Sequence, residues 1–471
     1  MNYKRLFSAL AIGATLMTTG AGCFGGSSAT TAASNKVTLN VWGVFDENDA
    51  WKTLIDKYHG QHPNVTVSYT KFRFEDYNTE LIRALAEGKG PDIMAVHNDE
   101  LGGFANLLTP MPASVNIAHL ETQGTLRKET KLVSTAESTM SIKTLKQNFL
   151  PEVVEDVVMP YQKDEKSDPV DSIYALPMGV DTLALYYNQD LLNAAGIAQP
   201  PATWSDVQEV VKTLTKIDTN GKILQSGIGL GTSKNVERSA DILSVLMMQN
   251  GVKMTDERGR PSFSDVPDGT PQGVQPGVEA VRFYTDFANP TKEVYTWNSS
   301  MPSSLDAFVN GQTAMFLGYS YHLPILRTLA PKLNIGIAPL PQISSSVGTD
   351  AVQKVGYANY WAEAVSKDSL NKDYAWSFIL FATDKANVGS YLAEAKKPTA
   401  LRSLIDGQLN DEDIGVFAEQ LLTAKTWYRG KNVDAAMKAM NQLIDDTMNK
   451  TYDDPQKALE NANRVVAQTY L

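Results

Sequence analysis

Three short stretches carry the side chains best suited to chemistry. The first ends an alternating segment at Trp42 and continues into Phe45, Asp46 and Glu47. The second is "HNDELGG", with Asn98, Asp99 and Glu100, directly after an apolar run that ends near Val96. The third is "GYSYHLP", with Tyr319 and Tyr321, after the run Thr313 to Leu317. Aromatic rings offer flat apolar faces to the C–H face of a pyranose, and neighbouring Asp, Asn and Glu accept its hydroxyl protons. Packing in a core or at a rim would explain any one of these aromatics. The same pairing at several strand ends points to a sugar site, because open α/β sheets bind ligands at the carboxyl ends of strands.

Enzyme signatures do not accompany these residues. GxSxG, Walker A, HExxH and CxxC are all missing from the chain. Gly227, Gly229 and Gly231 are close together but lack the spacing of a dinucleotide loop. Of the five histidines, His59 and His62 are neighbours beside a helix-ending Gly60 and Pro63, where a solvated helix end accounts for them better than a metal. The pairs Asp46/Glu47 and Asp99/Glu100 could in principle serve as glycosidase acid and base. Spacing does not show two carboxyls facing each other, so that alternative stays open beside simple hydroxyl acceptance, which needs no special pKa. No cofactor is implied.

The elements that must position these residues follow an order. "KVTLNVW" alternates as a strand, "DENDAWKTLIDKYHG" has helical apolar spacing, "NVTVSYTKF" alternates again, "YNTELIRALAEG" is helical and "PDIMAV" is a strand. That succession predicts a parallel α/β sheet flanked by helices. Residues 113–172 read as mostly helix and loop, closing in the charged "QKDEKSDPVD". A strand over Thr182–Tyr187, a helix from Gln189, a helix capped by Thr203 or Ser205, and loops over 253–277 follow. "NIGIAPLPQ" and "GYANYWAEAVS" read as strands, "NKDYAWSFILFAT" as an apolar helix, and the last sixty residues as mainly helical.

Composition narrows the class further. The net charge is −11 with 43% hydrophobic residues, so phosphate-driven nucleic-acid binding is not expected. The roughly 435 residues after position 35 exceed what one core usually supports, which predicts two lobes. At the N-terminus, Lys4 and Arg5 precede a short apolar run from Leu6 to Met17, and Gly20, Ala21 and Gly22 lead into Cys23, the single cysteine. This is the order of a secretory signal over 1–22, its apolar run well short of the ~20 residues of a spanning helix. "AGC" resembles a bacterial lipobox, with Gly20 where an aliphatic residue is usual. Cys23 is then the lipidated mature N-terminus and 23–35 a Ser/Thr/Ala-rich tether to the membrane.

The chain also resembles the family 1 extracellular solute-binding proteins, the lipoprotein or periplasmic components of ABC sugar importers, with a layout similar to the maltose/maltodextrin binders. The carriers are "VTLNVWGVFDE", "EGKGPDIMAVHNDELGGFANLLTP", "YALPMGVDTLALYYNQDLLNAAGI…PPATWSDV", "FVNGQTAMFLGY" and "AEAVSKDSLNKDYAWSFILF". The resemblance implies an α/β, two-lobed periplasmic-binding-protein fold (type II), each lobe a mainly parallel sheet flanked by helices, with the ligand cleft between lobes. It implies an N-terminal lobe of 36–178 and 358–400 and a C-terminal lobe of 179–357 and 401–471. It further implies a non-enzymatic monomer in the cell envelope that closes on a sugar and delivers it to permease subunits. Carried over by position, Asp99 and Asp181 are hydroxyl-accepting carboxylates, Asp46 and Glu47 lie on a loop that reaches the sugar, and Trp427 is a C-terminal stacking aromatic. Asn359, Tyr360 and Trp361 fall at a later crossover, where hinge packing is the competing role. Val96, Glu100 and Ser320 depart from the maltose pattern, which points away from maltodextrin itself. A different solute remains the rival within the class.

Overall fold

The computed structural model describes residues 36–123, 129–343 and 354–471. The signal segment, Cys23 and the tether lie outside these residues. The first strand, β1 (Val37–Val44), buries Val37, Leu39 and Val41 and exposes Thr38 and Asn40 between them, as a period of two requires. Helix α1 (Asn48–Gln61) buries Ala50, Trp51, Leu54 and Tyr58 along one stripe. Strand β2 (Val65–Phe72), helix α2 (Phe74–Ala86) and strand β3 (Ile93–His97) complete the opening unit. Strand β1 lies between β2 and β3 and runs parallel to both, with Val37 opposite Val65 and Val41 opposite Ile93. The strand Trp361–Ser366 then pairs antiparallel with β3, placing Trp361 opposite His97.

Residues 113–172 differ from the helical expectation. Strands Ser114–Gln123 and Glu129–Ser138 form a long antiparallel ribbon, and a second hairpin pairs Val158–Tyr161 with Val170–Ile173 around the charged "QKDEKSDP". Among the described residues there, only Ile142–Asn148 and Pro151–Val157 are helical. The ribbon is mainly polar, so its alternation is weak as a sequence signal. Its free edge is satisfied from a distant helix: Asn116 N donates to Asp373 Oδ2 at 3.0 Å and Ala118 N to Tyr374 Oη at 3.3 Å. Pairings across more than 250 residues leave no local pattern.

A second core forms around the helix Ser239–Gln249, which is buried over nearly its whole length. Thr203 caps the helix Trp204–Leu214 in a full capping box with Asp206. The sheet of this lobe departs from the expected parallel arrangement: Ala184–Asn188 is central and antiparallel to both Met315–Gly318 and Ile335–Pro339. Gly336 is required there, since a Cβ would come within 2.1 Å of the Tyr187 ring.

The chain passes between the two cores three times. Val180 belongs to the first and Leu183 to the second; Tyr357 to the second and Ala358 to the first; Ala424 to the first and Trp427 to the second. Segment 401–424 is shared, with Leu401, Ala418 and Leu421 in the first core and Phe417 packed near Tyr186 and Phe316 of the second lobe. The expected boundary at 400 thus falls ahead of the third passage. All three passages pair as one small sheet: Asp181–Thr182 antiparallel to Gly356–Asn359, which is parallel to Ala424–Lys425.

A buried ionic network fastens this sheet to the helix Pro151–Val157. Glu152 Oε1 accepts from Thr426 N and Oγ1, each at 2.9 Å, and from Arg429 Nη2 at 3.1 Å, while Oε2 accepts from Lys425 Nζ at 3.1 Å. Asp156 accepts from Arg429 Nε at 3.0 Å and Tyr360 Oη at 2.7 Å, and its Oδ1 lies 2.8 Å from Thr426 Oγ1, whose single proton it shares with Glu152. Losing Glu152 would leave Thr426 N without its acceptor, while Lys425 and Arg429 are partly exposed and Arg429 keeps Asp156. Glu152→Ala is therefore expected to cost about 1–3 kcal/mol of stability, measurable as a lowered midpoint in urea unfolding.

Candidate ligand-binding cleft

A cleft of about 1290 Å³ lies between the two cores, with the crossover sheet at its base. Eight of the twelve residues expected to bind ligand line it: Phe45, Asp46, Glu47, Asp99, Asp181, Tyr321, Asn359 and Trp361. Four aromatic rings meet here from both sides. Phe45, 45% exposed despite its size, lies 6.1 Å from Tyr321 of the opposite lobe with the ring planes 11° apart. It also lies 6.2 Å from Trp361 in an edge arrangement and 5.5 Å from Phe74.

The backbone accounts for the position of Phe45. Asp46 N donates to Val44 O at 2.7 Å, closing a three-residue γ-turn, and Phe45 at its apex has φ +64°. A bulky residue in the left-handed region is strained, and such strain concentrates at ligand sites. Trp361 is half-buried, held between His97 at 5.2 Å and Tyr77 at 5.8 Å. Tyr321 stacks at 5.6 Å on Tyr319.

The carboxylates of the cleft are already engaged. Asp46 pairs with Lys397 and accepts from Tyr391 Oη at 2.5 Å. Glu47 pairs with Lys71 near the surface. Asp99 is paired with His97 Nδ1; burial opposes both charges, but mutual attraction outweighs it, lowering the Asp99 pKa and raising that of His97. Asp181 accepts from Ser320 N at 2.9 Å, Ser320 Oγ at 2.7 Å and Thr182 N at 2.8 Å, and is opposite Asn359 in the crossover sheet. Burial outweighs those donors and pushes its pKa up to about 6.

Four expected residues lie elsewhere. Trp42 faces away from the cleft and packs on Phe72 at 4.4 Å. Asn98 is buried and pins the crossover, its Oδ1 accepting from Tyr360 N at 3.2 Å. Tyr319 is fully buried beneath Tyr321 and donates to Asp241 Oδ2 at 2.7 Å. Trp427 is a core residue of the second lobe, 2% exposed, donating from Nε1 to Ser244 Oγ at 3.0 Å. In each case the aromatic or amide character that suggested a ligand role serves packing instead.

Other lining residues carried weaker sequence signals. Phe74, Asn78, Arg238 and Glu363 belong to the cleft wall. Glu363 sits on the apolar strand Trp361–Ser366, 7% exposed, with Oε2 lacking any hydrogen-bond partner. A single carboxylate in "YWAEAVS" was the available hint. Burial, reinforced by Asp46 and opposed by Lys397, pushes its pKa up to about 8; the hydroxyls of Tyr69, Tyr77 and Tyr391 also face this region. The folded state holds this proton where the unfolded state has lost it, so stability falls as pH rises from the ordinary glutamate range through 8. Glu363→Gln is expected to leave stability unchanged near pH 4. It should gain on the order of a few kcal/mol relative to the parent near pH 9, in thermal unfolding across that range.

The chain matches the profile of bacterial extracellular solute-binding proteins over residues 43–389. A galactooligosaccharide-binding protein of Bacillus subtilis (strain 168) is 21% identical over 383 residues, 80% of this chain and 76% of that one. A protein of Brucella abortus (strain 2308) named as a binding protein is 24% identical over 215 residues; the match spans about half of each, 45% of this chain and 47% of the relative. Among solved structures, the GacH receptor of Streptomyces glaucescens, studied with acarbose, superposes with a TM-score of 0.65 at 17% identity, covering 92% of this chain and 98% of that one. The cyclic α-maltosyl-1,6-maltose binding protein of Arthrobacter globiformis gives 0.66 at 17% identity, covering 93% and 99%. The shared architecture is the two-lobed binding-protein fold.

Proposed function

The chain belongs to the bacterial extracellular solute-binding proteins, and from that premise we propose that it captures a carbohydrate in the interlobe cleft and hands it to an ABC importer. The observation that carries this reading is the set of rings presented from both lobes, Phe45 and Trp361 on one and Tyr321 on the other. Aromatic rings pack on pyranose C–H faces, and Asp99, Asp181 and Asn359 lie beside them to accept or donate to hydroxyls. The Bacillus and Arthrobacter relatives, named for oligosaccharide binding, support the same class of solute.

The protein acts outside the cytoplasm, as its family does. We further propose that it is held at the membrane by a lipid on Cys23 and works as a monomer. Closing of the lobes would be driven by contacts that a sugar makes to both of them at once, a population shift toward the closed form. The crossover sheet supplies the axis, because among the described residues no other strands join the lobes.

Titration with oligosaccharides, followed by calorimetry and tryptophan fluorescence, tests the reading. A sugar should bind with a fluorescence change, since Trp361 lines the cleft. Phe45→Ala and Trp361→Ala should each weaken binding on the order of tenfold with a small change in melting temperature; no response to any sugar would sink the proposal. For the anchor, Cys23→Ser should shift the protein from the membrane fraction to the medium or periplasm with sugar affinity retained, read by fractionation and calorimetry.

A further inference from the structure

The cleft is lined by more carboxyl groups than it has protein cations to pair with them. Among the described residues, three of the four Lys and Arg residues lining it already have their own carboxylates: Arg238 with Asp241 at 2.7 Å, Arg327 with Asp413 at 2.6 Å, and Lys397 with Asp46. The fourth, Lys396, is exposed at the rim, where water screens its charge. His97 is taken by Asp99. Among the described residues, Glu100, Asp181, Glu237 and Glu363 line the same cleft from both lobes and form no direct ion pair, although His97, Arg238 and Lys397 act from farther off on Glu100, Glu237 and Glu363.

Two of these four have a buried oxygen that still lacks a hydrogen-bond donor. Glu363 Oε2 and Glu100 Oε2 are buried without any hydrogen-bond partner, and so is Oδ1 of Asn78, whose amide nitrogen donates to Glu100 Oε1 at 2.6 Å. Burial keeps Glu363 protonated at neutral pH, and an arriving ammonium would let it ionise by supplying a counter-charge. Neutral ligands would not. Arg238, poised at the start of the helix Ser239–Gln249, does not fill this role, because Asp241 already neutralises it.

We propose that the ligand is an amino sugar, an oligosaccharide carrying at least one free, protonated amine. This rests on the carbohydrate reading above and adds to it the ligand's charge. The ammonium donates to the unmatched carboxyls while the pyranose faces stack on Phe45, Trp361 and Tyr321. Burial raises the pKa of Glu100, Asp181, Glu237 and Glu363. A cation favours their charged forms, so binding releases protons. Around Glu363 the groups that share this linkage are Asp46, Lys397, Tyr69, Tyr77 and Tyr391.

The test is calorimetry on the full chain at about pH 6.5, where Asp181 is partly and Glu363 largely protonated. The probes are the glucosamine tetramer, its fully N-acetylated counterpart, maltotetraose and spermidine, each in two buffers of different ionisation heat and at two salt concentrations. The glucosamine tetramer should bind on the order of tenfold tighter than either neutral tetramer, release protons and weaken with salt. Glu363→Gln and Glu237→Gln, both isosteric, should each shrink that preference several-fold. If a neutral tetramer binds as tightly as the amino sugar with no proton released, the amino-sugar inference falls and the carbohydrate reading stands. Binding of spermidine with no response to any tetramer, or no binding at all, would overturn both. A preference unaltered in both variants would overturn the role given to these carboxyls.

Discussion

The cleft depends on the pairing of three short strands that carry the chain between its two cores. Asp181–Thr182, Gly356–Asn359 and Ala424–Lys425 contribute only a handful of backbone hydrogen bonds. Their register nonetheless sets Asp181 opposite Asn359 and brings Trp361 to the edge of β3 two residues later. A slip of one residue would turn each of these side chains to the other face. The buried grip of Glu152 and Asp156 on Thr426 and Arg429 resists such a slip, since every member of that network has a partner. A joint this narrow permits rotation, while the polar network limits which rotations are possible.

The walls of the cleft divide the work between ring faces and charge. Phe45 is held out by a strained three-residue turn, so its ring meets Tyr321 across the gap instead of folding into its own lobe. Tyr321 in turn lies flat because Tyr319 supports it, and Tyr319 is fixed by Asp241 and Arg238 beneath. The carboxylates are arranged so that each cleft cation except the exposed Lys396 is already matched. What remains is a site rich in hydrogen-bond acceptors and short of positive charge.

Much of the first lobe was legible in its sequence. The alternation in "KVTLNVW" and the helical stripe of "DENDAWKTLIDKYHG" gave strand, helix and parallel order, because each buries one face against the same sheet. The ribbon of Ser114–Gln123 and Glu129–Ser138 is not legible there, since its stability comes from Asp373, Tyr374 and the pairing of its own strands. The same limit applied to single residues. Trp427 and Tyr319 have the chemistry of sugar-stacking rings, yet their indole and hydroxyl groups found buried partners in Ser244 and Asp241. Glu363 went unremarked because one carboxylate on an apolar strand has no period.

Residue types and order by themselves determined the class of the protein: strand–helix alternation, an acidic chain without catalytic motifs, and aromatic–carboxylate pairs after strand ends. Local forces set these features, and local forces are written in spacing. The tertiary structure alone decided which rings face the cleft, which acids have a counter-charge and where the third passage between lobes occurs. Those outcomes depend on distances between segments hundreds of residues apart, such as Asp46 and Lys397 or Glu152 and Arg429. Desolvation and pairing at such places exist only once the cores have closed around them.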